Sequence, residues 1–329
     1  GGDPEVTEVT MNFHPAFYYD GNDIHRLPAS ADVSGEYSLI GVALMEGSDN
    51  DRVFSTSTGN KLMGFHGGSE DDLYVEGWLN GSNNPVVLEP RIYNFRREPS
   101  GPFSYRKNGL EIDSGPSSNG GTWRFTIGGY NTSEYSRVYV PEAAIYSDDL
   151  TDMEMQRVES YLAIKYGVTL DQSTPQDYLA KDDGTTIAWD ASENVGYGNH
   201  IAGLGKDDCT LLHQKQSTSQ NGDAVVTIVL GDQIELTQND NLNEVTNDLS
   251  FFFWSSNGDV ADFSTTLSTT TVSTTRYGRV WKVEKSDGTN GTAVWDDQEI
   301  TICFDGQSDD SYLLISDSDE TFNTISHEY

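Results

Sequence analysis

Short runs of apolar residues alternating with polar ones, each closed by Gly, Pro, Asn, Asp or Ser, fill the chain as far as Tyr146. FHPAFYYDGND, EYSLIGVALM, RVFSTS, KLMGFHG, LYVEGWL, PVVLEPRIYNFRRE, FSYRKNGLEIDSG, WRFTIGGY and SRVYVPEAAIY each read as a strand or a strand pair. Their spacing predicts an antiparallel sandwich. In SYRKNGLEIDSG, Asn108-Gly109 supplies the two positive φ values of a type I′ hairpin turn.

One stretch breaks this pattern. Thr151 with Glu154 three residues on is a capping box, and Asp152 adds negative charge at the positive end of the helix dipole. Met155, Val158 and Leu162 then follow at helical spacing, flanked by Tyr161 and Tyr166, and Gly167 stands where a left-handed C-terminal residue is wanted. The pattern predicts one amphipathic helix over 151–167. A hinge is expected at 168–176, where VTLDQSTPQ loses periodicity. Strand patterning resumes in TIAWDAS, HIAGLGKDD, AVVTIVLG, LSFFFWSS, RYGRVWKVEKS, AVWDDQEITICFDG and YLLISDS. The Ser/Thr run 264–275 reads as an exposed edge strand or long loop. The expected organisation is two domains, 1–168 and 169–329, in an all-β fold.

Charge narrows the partners. Asp and Glu outnumber Lys and Arg 53 to 19, for a formal charge of −34. Such a surface repels a phosphate backbone, so nucleic acid is not an expected partner. The excess fits a salt-tolerant hydrated surface, or carboxylates neutralised by divalent cations in an extracellular medium. No run of about 18 apolar residues occurs, so membrane insertion is not expected. Cys209 and Cys303 leave two readings open, a disulfide or two separate buried thiols. The opening GGDPEVTEV and the ending SHEY suggest part of a larger multidomain chain.

FYYDGNDIHRLP, RKNGLEIDSG, TIGGY and AAIYSDDLTDMEMQRVESYLAIKYGVTL, in that order, resemble the laminin-G-like, concanavalin-like jelly rolls of large bacterial surface adhesins. The second half, with NHIAGLGKDD, LLHQKQS and GRVWKVEKS, resembles the β-rich domain of unassigned role that follows such modules. The resemblance implies a jelly-roll sandwich joined through the helix to a second sandwich-like domain, on a bacterial cell surface. It also implies calcium, held by Asp20, Asp23 and Glu142, although Ile24 stands where the family's turn carries a second acid. Asp207 and Asp208, after a Gly-Leu-Gly segment that reads as a tight bulge or turn, are further candidate ligands for the ion.

Catalysis is not expected. The same fold hosts β-glucan hydrolases whose carboxylates stand at i, i+2 and i+5, and here Glu111 and Asp113 are followed by Pro116 at the third place. Zinc, nucleophile-elbow and phosphate-loop motifs are missing from the sequence. Recognition is the better reading, because sugar binding needs flat apolar faces beside planar amides. Trp78, Tyr93, Trp123 and Tyr130 lie among Asn and Arg residues, and half or more of such aromatics belong to a core. Trp78 and Tyr130 adjoin Gly or Asn turns, so Trp78, Asn80, Tyr130, Asn131 and His66 are the candidate ligand-binding residues. The expected partners are cell-surface glycans, with peptides or a purely structural, calcium-stabilised role as alternatives.

Overall fold

The computed structural model describes residues 2–47, 51–99, 101–116, 121–180, 186–263, 265–268, 273–288, 294–305, 314–315 and 327–328. The first half is a two-sheeted antiparallel sandwich. Its front sheet runs Glu5–Met11, His14–Asp20, Arg137–Tyr146, Tyr37–Met45, Arg91–Arg97, Pro102–Lys107, Leu110–Pro116. Its back sheet runs His25–Arg26, Phe125–Ile127, Phe54–Thr56, Lys61–His66, Ser69–Val75, Trp78–Asn80, with Asn84–Pro85 also pairing onto Ser69–Val75. Alternation along each strand sends Leu39, Ala43, Tyr93 and Phe95 of the front sheet against Phe54, Met63, Phe65, Leu73 and Phe125 of the back sheet. At Gly41 a Cβ would stand 2.4 Å from the Phe54 ring, so only glycine lets the two sheets close there.

The Asn108-Gly109 hairpin forms as its sequence predicts, with φ values of 48° and 81°. The strand Glu5–Met11 is an addition that the EVTEVTM segment did not announce. It joins His14–Asp20 through a second tight turn, where Asn12 and Phe13 hold φ of 48° and 65° without any glycine. Asn12 is fixed there by what its amide does: Nδ2 donates to the Ile164 and Lys165 carbonyls and to Ser217 Oγ, while Oδ1 accepts from the Thr218 N–H. One side chain thus ties the first sandwich to the helix end and to the second half.

The helix spans Asp152–Tyr166 with both arms of the capping box made and Gly167 left-handed at φ 65°. Met155 and Leu162 are buried and Val158 is partly buried, as the spacing predicts. Glu159 and Ser160 are also buried, because the helix is covered on more than one side. Glu159 reaches Asn94 and Arg106 of the front sheet, and Ser160 Oγ accepts from the Leu179 N–H of the second half. A single apolar cluster therefore includes Ile40, Val42 and Ile92 of the front sheet, Leu162 and Tyr166 of the helix, and Ile201, Phe251 and Phe253 beyond it. The expected hinge is corrected by this packing: Val168 and Leu170 sit in that same core, and the Asp171 N–H donates to the Asn108 carbonyl.

In the second half a four-stranded sheet, Leu212–Gln214, Asn199–Asp207, Ser250–Ser256, Trp281–Asp287, faces a three-stranded one, Gln216–Thr218, Val226–Leu230, Ile300–Phe304. Between them lie Leu204, Ile228, Leu230, Trp254 and Trp295. Thr265–Ser268 and Ser273–Arg276 pair as a hairpin within the Ser/Thr run, whose remaining residues 264 and 269–272 lie outside the described residues. Of the expected strand YLLISDS only Leu314–Ile315 is described. Both cysteines are free, and Cys209 is exposed rather than buried, since it sits in the turn after Asp207. Among the described residues no helix is long and apolar enough to cross a membrane.

The junction carries a pH dependence. His14 packs edge-on against Tyr166 and bonds Gln214 Oε1 at 2.9 Å, and burial lowers its pKa from 6.5 to about 4. A depressed folded-state pKa means that the unfolded chain binds the proton first. The stability is therefore present above pH 6.5 and is lost as pH falls towards 4. The loss is on the order of 3 kcal/mol as an upper bound. Urea midpoints measured across that interval should fall for the wild type and fall less for His14→Gln; equal slopes would contradict the assignment.

Candidate ligand-binding face

Register alone builds the site. Arg26 pairs with Thr126, Thr126 with Ser55, Ser55 with Leu62, Leu62 with Tyr74 and Tyr74 with Trp78. Cross-strand partners share a face, and the neighbours of these residues, Phe54, Met63, Leu73, Val75 and Phe125, all point into the core. The row therefore lies on the outer face of the back sheet. At one end the segment Gly129–Asn131 lies over it, held by Ser55 Oγ donating to the Gly129 carbonyl and by the Arg26 guanidinium on the Asn131 carbonyl. At the other end stand the aromatic rings.

Trp78 is 52% exposed on the edge strand. Two rings brace it edge-on, Tyr74 at 5.2 Å and 84° and His66 at 5.6 Å and 67° between centroids and planes. Edge-to-face contacts of this kind hold a ring upright at little entropic cost. About half of its surface stays open to solvent, with Gly81 packed beside the ring. Asn80 is anchored by Nδ2 donating to the Asp71 carbonyl at 2.8 Å. Tyr130 caps the covered end of the row, with its hydroxyl on the Gly59 carbonyl and its ring 4.3 Å from the Arg52 guanidinium carbon. His66, Trp78 and Asn80 thus form one group, and Tyr130 with Asn131 a second group farther along the same face. Tyr93 and Trp123 are core residues, fully buried, with Trp123 Nε1 donating to the Ser55 carbonyl.

The support beneath Trp78 was not foreseen. Glu70, Asp71 and Asp72, consecutive in the strand beside it, are each only 3% exposed. A bulge opposite Gly64 and Phe65 turns Asp71 to φ 72° and lets all three reach inward and sideways. Each holds one point of the segment that follows Trp78: Glu70 accepts from the Val87 N–H, Asp71 from Asn84 Nδ2 and Asp72 from the Ser82 N–H. Lys107 neutralises Glu70 and Asp71 at 3.0 and 2.7 Å, and the Tyr93 hydroxyl donates to Asp71. Burial raises the pKa of Asp72, offset in part by the Ser82 bond. Carboxylates so enclosed and so occupied are a mounting for the loop, since no reactant reaches them.

The calcium set does not assemble. Asp20 pairs with Arg137, five residues before Glu142 on the same strand, which puts the two backbone positions roughly 16 Å apart along the strand. The Glu142 carboxylate instead accepts from Lys165 Nζ and the Tyr166 hydroxyl at 2.8 Å, and from Tyr161 at 3.4 Å. Asp23 is buried and accepts from the Asp20 N–H, while Asp20 accepts from the Asn22 N–H, so these two brace a tight turn. Asp207 caps the turn at Cys209 and Thr210, and Asp208 pairs with Lys206 at 3.2 Å. Among the described residues no three His, Cys, Asp or Glu side chains gather as metal ligands. Asp20, Asp23 and Glu142 do not fit one shared ion, so any rise in melting temperature on adding calcium is expected to persist in Asp23→Asn. A rise that Asp23→Asn abolishes would place an ion at that turn after all.

Two further arrangements invite a catalytic reading. Glu111 bonds Ser104 and Ser114 on the edge strand that Pro116 ends, with no facing carboxylate at the motif's third place. In the second half, Ser256, His200 and Asp223 lie in line, with Oγ to Nδ1 and Nε2 to Oδ1 both 2.7 Å. The carboxylate only accepts, so Nε2–H donates to it, and in the neutral imidazole Nδ1 then accepts from the serine hydroxyl. His200 and Arg279 together hold the Asp223 carboxyl below its ordinary pKa. The hydroxyl is fully buried and also accepts from the Gly258 N–H. This line fastens strands rather than exposing a nucleophile.

Together the fold and this face define an antiparallel β-sandwich that carries an open aromatic platform on one sheet and a second β-domain docked through a helix. The chain belongs to the family described as Domain of unknown function (DUF8202), whose model matches residues 154–329, more than half of its length. That match begins inside the helix, so the Trp78 face precedes it. No curated protein matches the chain. Among solved structures it is similar to domain 4 of AbnA, a GH43 extracellular arabinanase from Geobacillus stearothermophilus, in complex with arabinotriose. That likeness has 19% identity and a TM-score of 0.37 over 47% of this chain and 80% of that one. It is also similar to the Trypanosoma rangeli sialidase in complex with 2,3-difluorosialic acid, at 10% identity and a TM-score of 0.38. There the match covers 47% of this chain and 28% of the sialidase, under a third of that protein.

Proposed function

We propose that this chain is a non-catalytic glycan-recognition module of an extracellular, adhesin-like protein, and that saccharides bind on the outer face of the back sheet with Trp78 as the stacking platform. The observation that carries the reading is an indole half exposed to solvent yet held upright by Tyr74 and His66. An unsupported surface tryptophan would fold onto its own strand and hide its face. A braced one presents a flat apolar plane to the C–H edges of a sugar ring, with the side-chain amides of the adjoining 80–84 segment close by for hydroxyl groups. Tyr130 and Asn131 lie farther along the same face, above the buried Ser55 and Thr126, so a ligand longer than one ring would meet further contacts there.

The acidic surface and the sequence resemblance support the extracellular setting. A glycan array probed with the full chain tests the proposal: signals that vanish in Trp78→Ala support it, and a blank array overturns it.

A further inference from the structure

The charges around Trp78 are uneven, and from them we infer that the platform takes uncharged saccharides and rejects anionic ones such as uronic or sialic acids. The inference rests on the glycan-binding reading above and adds the ligand class. An anionic sugar needs a cation with capacity to spare at the place where its carboxylate lands. Among the described residues, each Lys and Arg near the platform is engaged. Lys107 holds Glu70 and Asp71, and Arg91 lies 3.2 Å from Glu89 and 3.9 Å from Glu70. Lys61 is buried on the Thr58 and Thr122 carbonyls and pairs with Glu76 at 3.5 Å. Arg52, under the Tyr130 ring, pairs with Glu134 and donates to Asn60 Oδ1. Arg26 ends the same outer row, but five strands away, roughly 24 Å at the usual strand spacing, and it is held on the Asn131 carbonyl.

Carboxylates outnumber these partners. Glu70, Asp71, Asp72, Glu76 and Glu89 stand against Lys61, Arg91 and Lys107. The balance stays negative with Asp72 protonated, the direction in which burial pushes it. Glu76, on the turn that leads into Trp78, is exposed and adds its field directly to the platform. Beyond the site, the whole chain carries −34, so a negatively charged ligand meets repulsion before contact. An uncharged sugar loses nothing to this field, because its binding draws on ring stacking and hydroxyl hydrogen bonds.

The test is an array of oligosaccharides matched in length and linkage, each in a neutral and a carboxylated form, probed with the full chain at low and at high salt. Neutral members should bind, and their carboxylated counterparts should bind about tenfold more weakly at low salt, the gap closing as salt screens the field. Trp78→Ala, a change on an exposed edge that spares the core, should remove both signals. A carboxylated member bound as tightly as its neutral match, and lost in Trp78→Ala, would overturn the charge selectivity and leave glycan binding standing. Failure of every member to bind would overturn both.

Discussion

Glu159→Ala should destabilise the protein by about 3–5 kcal/mol, the range for breaking one partner out of a buried ion pair. The carboxylate is fully enclosed between helix and front sheet and takes both Arg106 Nε and Nη2 at 3.0 Å, with Asn94 Nδ2 at 3.3 Å. Alanine removes the acceptor and leaves a guanidinium that is itself mostly buried. Burial raises the pKa of Glu159 while Arg106 pulls it back, so the enclosed pair is a balance of desolvation against attraction. For that reason Glu159→Leu with Arg106→Leu should recover most of the loss, since no charge is then stranded. Urea unfolding with intact m-values checks both variants. A single-variant loss below about 1 kcal/mol would mean that water reaches the pair.

The second large effect concerns recognition. Trp78→Ala should raise the Kd for any bound glycan by roughly thirtyfold, about 2 kcal/mol, the scale of an aromatic anchor at the centre of a contact. Stability should change little, because Trp78 is half exposed and outside the buried cores. Calorimetric titration with an array-positive oligosaccharide, beside a melting curve, separates the two effects. Unchanged affinity in the folded variant would move the binding surface elsewhere.

Much of this architecture is legible in the residues themselves. Thr151, Glu154 and Gly167 mark both ends of the helix, and Asn108-Gly109 marks its hairpin, because caps and tight turns are local devices that short sequence patterns encode. Trp78 and Tyr130 differ from the other aromatics by their Gly and Asn neighbours, and Trp78 is exposed and Tyr130 partly so, while Tyr93 and Trp123 are buried. What escaped is long-range. Asn12 reads as an ordinary turn residue until Thr218 arrives from 206 positions away. The 70–72 acids look like surface charge, since nothing local shows that Lys107 and Tyr93 will enclose them. Asp20 and Glu142 come apart for the same reason: sequence placed Glu142 on the neighbouring strand, but register set it five residues beyond Asp20's partner, among Lys165, Tyr161 and Tyr166.

The central claim is that an upright, solvent-facing Trp78 receives a sugar ring. The chain has six tryptophans, so the indole N–H region of a heteronuclear NMR spectrum is simple enough to follow one by one during a titration with array-positive oligosaccharide. The Trp78 signal should move in a saturable way while those of the buried Trp123, Trp189 and Trp254 stay in place. Saturable binding that leaves the Trp78 signal unmoved would contradict the account.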